Sequence, residues 1–231
     1  MEYVLHYAPD NASIIVRLAL EHLGLPYRAV LVDRATAQQK SDEYLRLNPA
    51  GQIPVLITPD GPIFETAAIL LWLADRHGGL APGTQDAERA AFLKWLFYTA
   101  NTAHTALRMT FYPEKYIAAE AIPALRAGLY NHLTGVFGRL DAEAAKGQSW
   151  FGGPAPAALD FYLAALTRWA AIYPANENRH RFSLSDTPAL AAICARVQAL
   201  PATAVLQKEE GLGREPFTNP ELPTPPIGSA T

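Results

Sequence analysis

The sequence predicts an α/β domain of order βαβαββα, with a mixed four-stranded sheet, followed by an all-α domain. Three observations predict it. Short runs of β-formers alternate with helical apolar spacing through the first third of the chain. The tripeptide "PDG" separates two such runs and is a strong hairpin signal. Beyond "HGGLAPGTQD", rich in glycine, the pattern becomes helical.

Tyr3 to Tyr7 is a strand by its β-formers, and after "APDNA" the run "SIIVRLALEHLG" has helical spacing, with Ser13 as N-cap and Gly24 as stop. "PYRAVLV" is the second strand. "TAQQKSDEYLRLN" is polar with a short helical core, and Pro49 ends it by disfavouring helical geometry at Asn48. "VLIT" and "PIFE" form the hairpin, and Thr66 to Arg76 is the closing helix, stopped by Gly78 and Gly79. A strand, a crossover helix and a parallel strand wind right-handed, and the hairpin adds antiparallel strands. This is the layout of a thioredoxin-like domain, expected over residues 1–79, with a linker at 80–86. The helical domain is expected over 87–210 from four runs, "AERAAFLKWLFYTANTAHTALRM", "IPALRAGLYNHLTGVFGRLDAEAAK", "AALDFYLAALTRWAAI" and "TPALAAICARVQAL". Residues 211–231 are proline-rich with few large apolar side chains, which predicts an extended or mobile end.

Composition narrows the function. A chain of 231 residues, 50% hydrophobic, can bury a sizeable core. Nineteen Lys and Arg against twenty-two Asp and Glu give a net charge of -3, with no basic run interleaved with aromatics, so nucleic acid is not an expected partner. No window approaches the roughly twenty apolar residues of a membrane span, and the start lacks a signal-peptide pattern, so a cytoplasmic protein without a membrane partner is expected. The single cysteine, Cys194, lies in an apolar helical run and reads as a core residue. No internal disulfide, cysteine metal cluster or CxxC pair can form, and no metal is expected.

Taken together, the strand order, "NPAGQIPVL", "ETAAILLWLAD", the linker and the helical domain resemble a cytosolic glutathione transferase over nearly the whole chain, of bacterial, serine-type, theta- or beta-like character. The resemblance implies glutathione as co-substrate, a homodimer, and conjugation of the glutathione thiolate to a hydrophobic electrophilic small molecule in detoxification, with a possible side peroxidase activity. The alternative is a non-catalytic glutathione-binding or protein-interaction member. It also implies a cis bond between Ile53 and Pro54, a geometry that only X-Pro bonds adopt at small cost, with Val55 pairing its main chain to the cysteinyl part of glutathione. Thr66, as a helix N-cap, would receive the γ-glutamyl carboxylate and Glu65 its ammonium. Gln52 stands where a polar side chain meets the glycyl carboxylate. His104 follows a pattern that puts a histidine near glutathione, although Thr102 replaces the acid expected two residues earlier.

An enzyme using glutathione as nucleophile must stabilise the thiolate with a donor aimed at sulfur. Ser13 is the candidate, at the start of the first helix in "SIIVR", which resembles the Ser-x-x-x-Arg pattern of serine-type transferases; Asn11 and Tyr7 are the alternatives. Ala12 stands where related bacterial enzymes carry a cysteine, which disfavours thiol exchange. Tyr98, Thr105, Arg108, Met109 and Tyr112 lie with His104 near one side of a helical run and are candidates for a substrate pocket. Asp160 matches the family's capping-box acid, but Ala157 lacks the reciprocal hydroxyl, so Asp160 is expected to act on its helix by charge alone.

Overall fold

The alternation of buried and half-buried residues in Tyr3–Tyr7 is that of a strand inside a sheet, and this segment forms β1. The computed structural model describes residues 2–175 and 182–230. Tyr27–Leu31 is β2, and Val55–Thr58 and Gly61–Phe64 are β3 and β4. The sheet order is β2-β1-β3-β4, with β2 parallel to β1 and the other pairs antiparallel. In this register Leu5 stands opposite Leu56, and His6 opposite Val55. Helices α1 (Ser13–His22) and α3 (Thr66–His77) share one core with the sheet, where Leu5, Leu56, Ile15, Leu18, Ile69 and Leu73 are fully buried. The short α2 (Asp42–Leu47), capped by the Ser41 hydroxyl, belongs to a smaller cluster of Val32, Tyr44 and Val55.

The helical part comprises α4 (Arg89–Tyr98), α5 (Thr105–Phe111), α6 (Ile122–Ala144), α7 (Ala158–Ile172), α8 (Pro188–Gln198) and α9 (Pro201–Glu210). Helix α1 packs against α7 and α9 as well as α3, so every residue from Ser13 to Leu20 is buried. That explains an apolar run with little polar face. Helix α7 is buried continuously from Ala158 to Trp169. Asp160 does more at its start than act by charge, because its carboxylate accepts hydrogen bonds from the backbone N–H of Ala157 and of Gly152, both at 2.9 Å. Among the described residues no single helix is long and apolar enough to cross a membrane.

The helical part and the end of the chain also depart from the sequence reading. The run predicted as one helix from Ala87 holds a π-helical turn over Thr99–His104 between α4 and α5. The end of the chain is irregular but packed: Leu212 and Phe217 are buried, and the N–H groups of Phe217 and Thr218 donate to Gln198 Oε1. Its backbone carbonyls are used too, since the Arg168 guanidinium donates to the Pro216 and Glu221 oxygens, each at 3.0 Å. Proline-rich composition hides this, because a few well-placed groups anchor the segment without any periodic pattern.

Candidate active site

A cavity of about 690 Å³ opens where the sheet domain meets the π turn, α5 and α7. Its first wall is the loop ahead of β3. Gly51 has φ +60°, and a Cβ there would lie 3.0 Å from the Gln39 carbonyl oxygen, so the close turn requires glycine. The Gln52 carbonyl accepts from the Tyr44 hydroxyl and from Asn48 Nδ2, each at 2.8 Å, which fixes the loop. Gln52, Ile53 and Pro54 line the cavity, and the Ile53–Pro54 bond is cis. Val55 corrects the expectation. It is fully buried in β3 between His6 of β1 and Phe64 of β4, and it does not line the cavity. The main chain that borders the cavity beside the proline is that of Ile53.

Glu65 and Thr66 line the same space. Thr66 is the first residue of α3 rather than its cap, and Glu65 occupies the cap position with φ +71°. A non-glycine residue there is strained, and such strain persists where surrounding structure holds it. The first N–H groups of α3 have no intrahelical acceptor and favour an anion.

The sulfur candidates separate. Ser13 is fully buried and does not line the cavity. Its hydroxyl donates to the Ala8 carbonyl at 3.1 Å and accepts from the Ala8 N–H at 3.4 Å, so it braces the β1–α1 loop from inside. Tyr7 is also in the core, with the Arg17 guanidinium 4.4 Å above its ring. Asn11 does line the cavity, next to Ala12. Its Oδ1 accepts from the Ala12 N–H at 2.8 Å, which leaves the amide NH2 as the donor for a ligand.

The opposite wall comes from the helical part. A π turn holds about one residue more than an α turn. Ala100, Asn101, His104, Thr105 and Arg108 stand on the cavity face, continued by Phe111 and Tyr112. Tyr98 and Met109 fall outside this lining, and the Tyr98 hydroxyl instead accepts from Arg139 Nε at 2.8 Å. His104 Nδ1 and the Tyr162 hydroxyl share a hydrogen bond of 2.9 Å. Burial, and then the nearby Arg108, push the His104 imidazole down to about 4, so it is neutral at pH 7.

Several lining residues were not singled out by the sequence reading: Asp10, Arg34, Lys40, Lys115, Trp169 and Tyr173. Asp10 organises the floor. Its carboxylate accepts from Arg168 Nε and Nη2 at 2.9 and 3.0 Å, from Trp169 Nε1 at 2.9 Å and from the Tyr173 hydroxyl at 2.8 Å. The available signal was Arg168 itself, the one cation inside the apolar run of α7, which must find a partner when buried.

The sequence family described as glutathione S-transferase, N-terminal domain, matches residues 3–75. Glutathione S-transferase GstA of Escherichia coli O157:H7 is 32% identical over 171 residues, covering 72% of this chain and 81% of that protein. Glutathione S-transferase GST-4.5 of Xanthomonas campestris pv. campestris is 29% identical over 211 residues, covering 90% of this chain and 98% of that one. A crystal structure of a glutathione transferase from Burkholderia graminis, with two glutathione molecules bound per subunit, superposes with a TM-score of 0.76 at 27% identity, over 89% of this chain and 88% of that one.

Proposed function

Because the chain belongs to the glutathione S-transferase family, we propose that it binds glutathione along the first wall of the cavity and conjugates the sulfur to an electrophilic small molecule. The observation that carries this reading is that Gln52, Ile53, Pro54, Glu65, Thr66 and Asn11 border one cavity whose far side is aromatic. Each part of the tripeptide then meets a matching group. The α3 N-terminus at Thr66 takes the γ-glutamyl carboxylate, and Glu65 accepts from its ammonium. The Ile53 main chain pairs with the cysteinyl unit as an added strand would. Gln52 and Lys40 receive the glycyl carboxylate.

The sulfur then lies beside Asn11 and the N-terminus of α1. A free thiol with a pKa of about 8.5 is only a few per cent ionised at neutral pH. A hydrogen bond from the Asn11 NH2 and the positive end of α1 both favour the anion. The thiol proton leaves to water, the thiolate forms a bond to the electrophilic carbon, and the leaving group departs with its electron pair. Thiol exchange has no support, since Cys194 is buried with its thiol pushed up to about 11 by burial. Detoxifying conjugation in the cytoplasm, a side peroxidase activity and a homodimeric assembly belong to the same proposal. Closed two-fold dimers are the commonest assembly, and light scattering showing a monomer at micromolar concentration would remove that part.

Calorimetry with glutathione, followed by steady-state assays against a panel of electrophiles and a peroxide, tests the reading. Glu65→Ala and Thr66→Ala are each expected to weaken glutathione binding by about 1–3 kcal/mol, as for a lost charge-assisted hydrogen bond. No binding at millimolar glutathione ends the proposal. Binding without turnover on any electrophile identifies a non-catalytic member.

A further inference from the structure

The cavity carries more positive charge than glutathione can use. Arg34, Lys40, Arg108 and Lys115 all line it. Among the described residues the lining carboxylates are Asp10 and Glu65, and Asp10 is already gripped by two nitrogens of Arg168. His104 contributes no charge at pH 7. If Lys40 meets the glycyl carboxylate and Glu65 the ammonium, as proposed above, Arg108 and Lys115 receive no anion from glutathione.

These cations gather at one end of the cavity, around two tyrosines. Lys115 Nζ lies 4.1 Å from the Tyr112 ring centroid, and the Arg34 guanidinium lies 5.9 Å from the same ring. Arg34 Nη2 also donates to the Tyr112 hydroxyl at 2.9 Å. The Arg108 guanidinium donates to the Tyr116 hydroxyl and stands 5.7 Å from that ring. The charges feel one another: burial and then Arg108 lower the Lys115 ammonium, with Arg34 and Lys40 adding to the effect and Glu114 opposing it. Phe111 and Trp169 line the same space. Like charges crowded beside aromatic surface are costly until an anion joins them, and a purely apolar electrophile supplies none.

We propose that the second substrate of this site is an acidic aromatic molecule, an electrophile whose carboxylate or similar anionic group is held by Lys115 and Arg108 while its ring lies against Phe111 and Tyr112. The assignment rests on glutathione occupying the opposite wall. It replaces the simply hydrophobic electrophile expected from the sequence with an amphipathic anion.

Equilibrium binding separates the two ideas. Calorimetry is run with naphthoate and with its neutral isostere naphthamide, each without and with saturating S-methylglutathione, which cannot form a thiolate. Naphthoate is expected to bind about tenfold more tightly than naphthamide, the gain of one charge-assisted hydrogen bond. The ratio should shrink as salt is raised and approach one in a Lys115→Met/Arg108→Met variant whose melting temperature matches the parent. A ratio of one or less in the parent overturns the proposal, and so does a preference that survives in the variant. A preference abolished by S-methylglutathione also overturns it, because the cations then serve glutathione. If S-methylglutathione fails to bind while naphthoate keeps its preference, the glutathione reading falls and the anion site stands.

Discussion

Asn11 and Ser13 are two residues apart and meet opposite surroundings. The Ser13 hydroxyl is engaged by both polar groups of Ala8, whereas the Asn11 amide reaches the cavity. Ser13→Ala is therefore expected to lower stability by about 1–3 kcal/mol, the cost of unpairing buried backbone groups, while leaving the pH–rate profile in place. Asn11→Ala is expected to raise the pKa of the enzyme-bound glutathione thiol by about one unit, equivalent to about 1.4 kcal/mol of lost preference for the anion. Turnover at neutral pH should fall and partly recover in alkali. The ultraviolet absorbance of the thiolate, titrated in the binary complex, checks both variants; an unshifted titration for Asn11→Ala would remove it as the sulfur donor. Both residues were legible as candidates because a serine or asparagine ahead of an apolar helix has the right chemistry. Which one faces the ligand depends on where the Ala8 backbone turns, and a local pattern does not record that.

Among the elements, the π turn and the start of α7 do most to shape the site. His104, at the end of the turn over Thr99–His104, faces the cavity with Thr105 and Arg108, while Tyr98 and Met109 lie off that face. Helical spacing groups all five along a broad arc, and it does not say which edge of that arc meets the cavity. At α7, Asp160 accepts from two backbone N–H groups and is almost wholly buried. Burial raises its carboxyl, against the two backbone hydrogen bonds and Arg196, which lower it. Asp160→Ala is expected to cost about 1.5–3 kcal/mol, since it leaves buried donors unpaired. Thermal unfolding measures this, and a change under about 0.5 kcal/mol, typical of an ordinary surface substitution, would contradict the capping role.

Across the whole molecule, a buried charged network ties the sulfur-side loop to α7, α9 and the end of the chain. Asp10 is held by Arg168, Trp169 and Tyr173, and its own N–H donates to Glu210 Oε2 at 3.1 Å. Arg17 Nε stands 3.0 Å from Glu210 Oε1 without hydrogen-bond alignment. Asp10→Ala would strand the fully buried Arg168 and is expected to cost about 3–5 kcal/mol, read from denaturant unfolding. Burial pushes Glu210 up to about 7, against the pull of Arg17. Its folded value then lies above the unfolded one, so the folded state keeps a proton that the unfolded chain has already released. The stability this group contributes is present below about pH 4.5 and is lost as pH rises through about 7. His104, held low at about 4, acts in the opposite sense between about pH 4 and 6.5. The informative quantity is thus the difference in melting temperature between the parent and Glu210→Gln, which should move against the parent from pH 5 to pH 8. A difference that stays flat would mean that Glu210 ionises at its ordinary value.

The sequence by itself determined the strands, the order of elements in the first domain, the proline-centred loop and the Glu65–Thr66 handover, because these depend on periodicity, turn residues and short-range spacing. Only the tertiary structure decided that Val55 is enclosed by strands on both sides, that Ser13 turns inward and Asn11 outward, and that Arg34, Arg108 and Lys115 meet at one end of the cavity. These are relations between residues far apart in the chain or around a bulged helical turn. They are fixed by how buried polar groups such as Arg168 and Asp10 find their partners, and no pattern along one segment specifies that pairing.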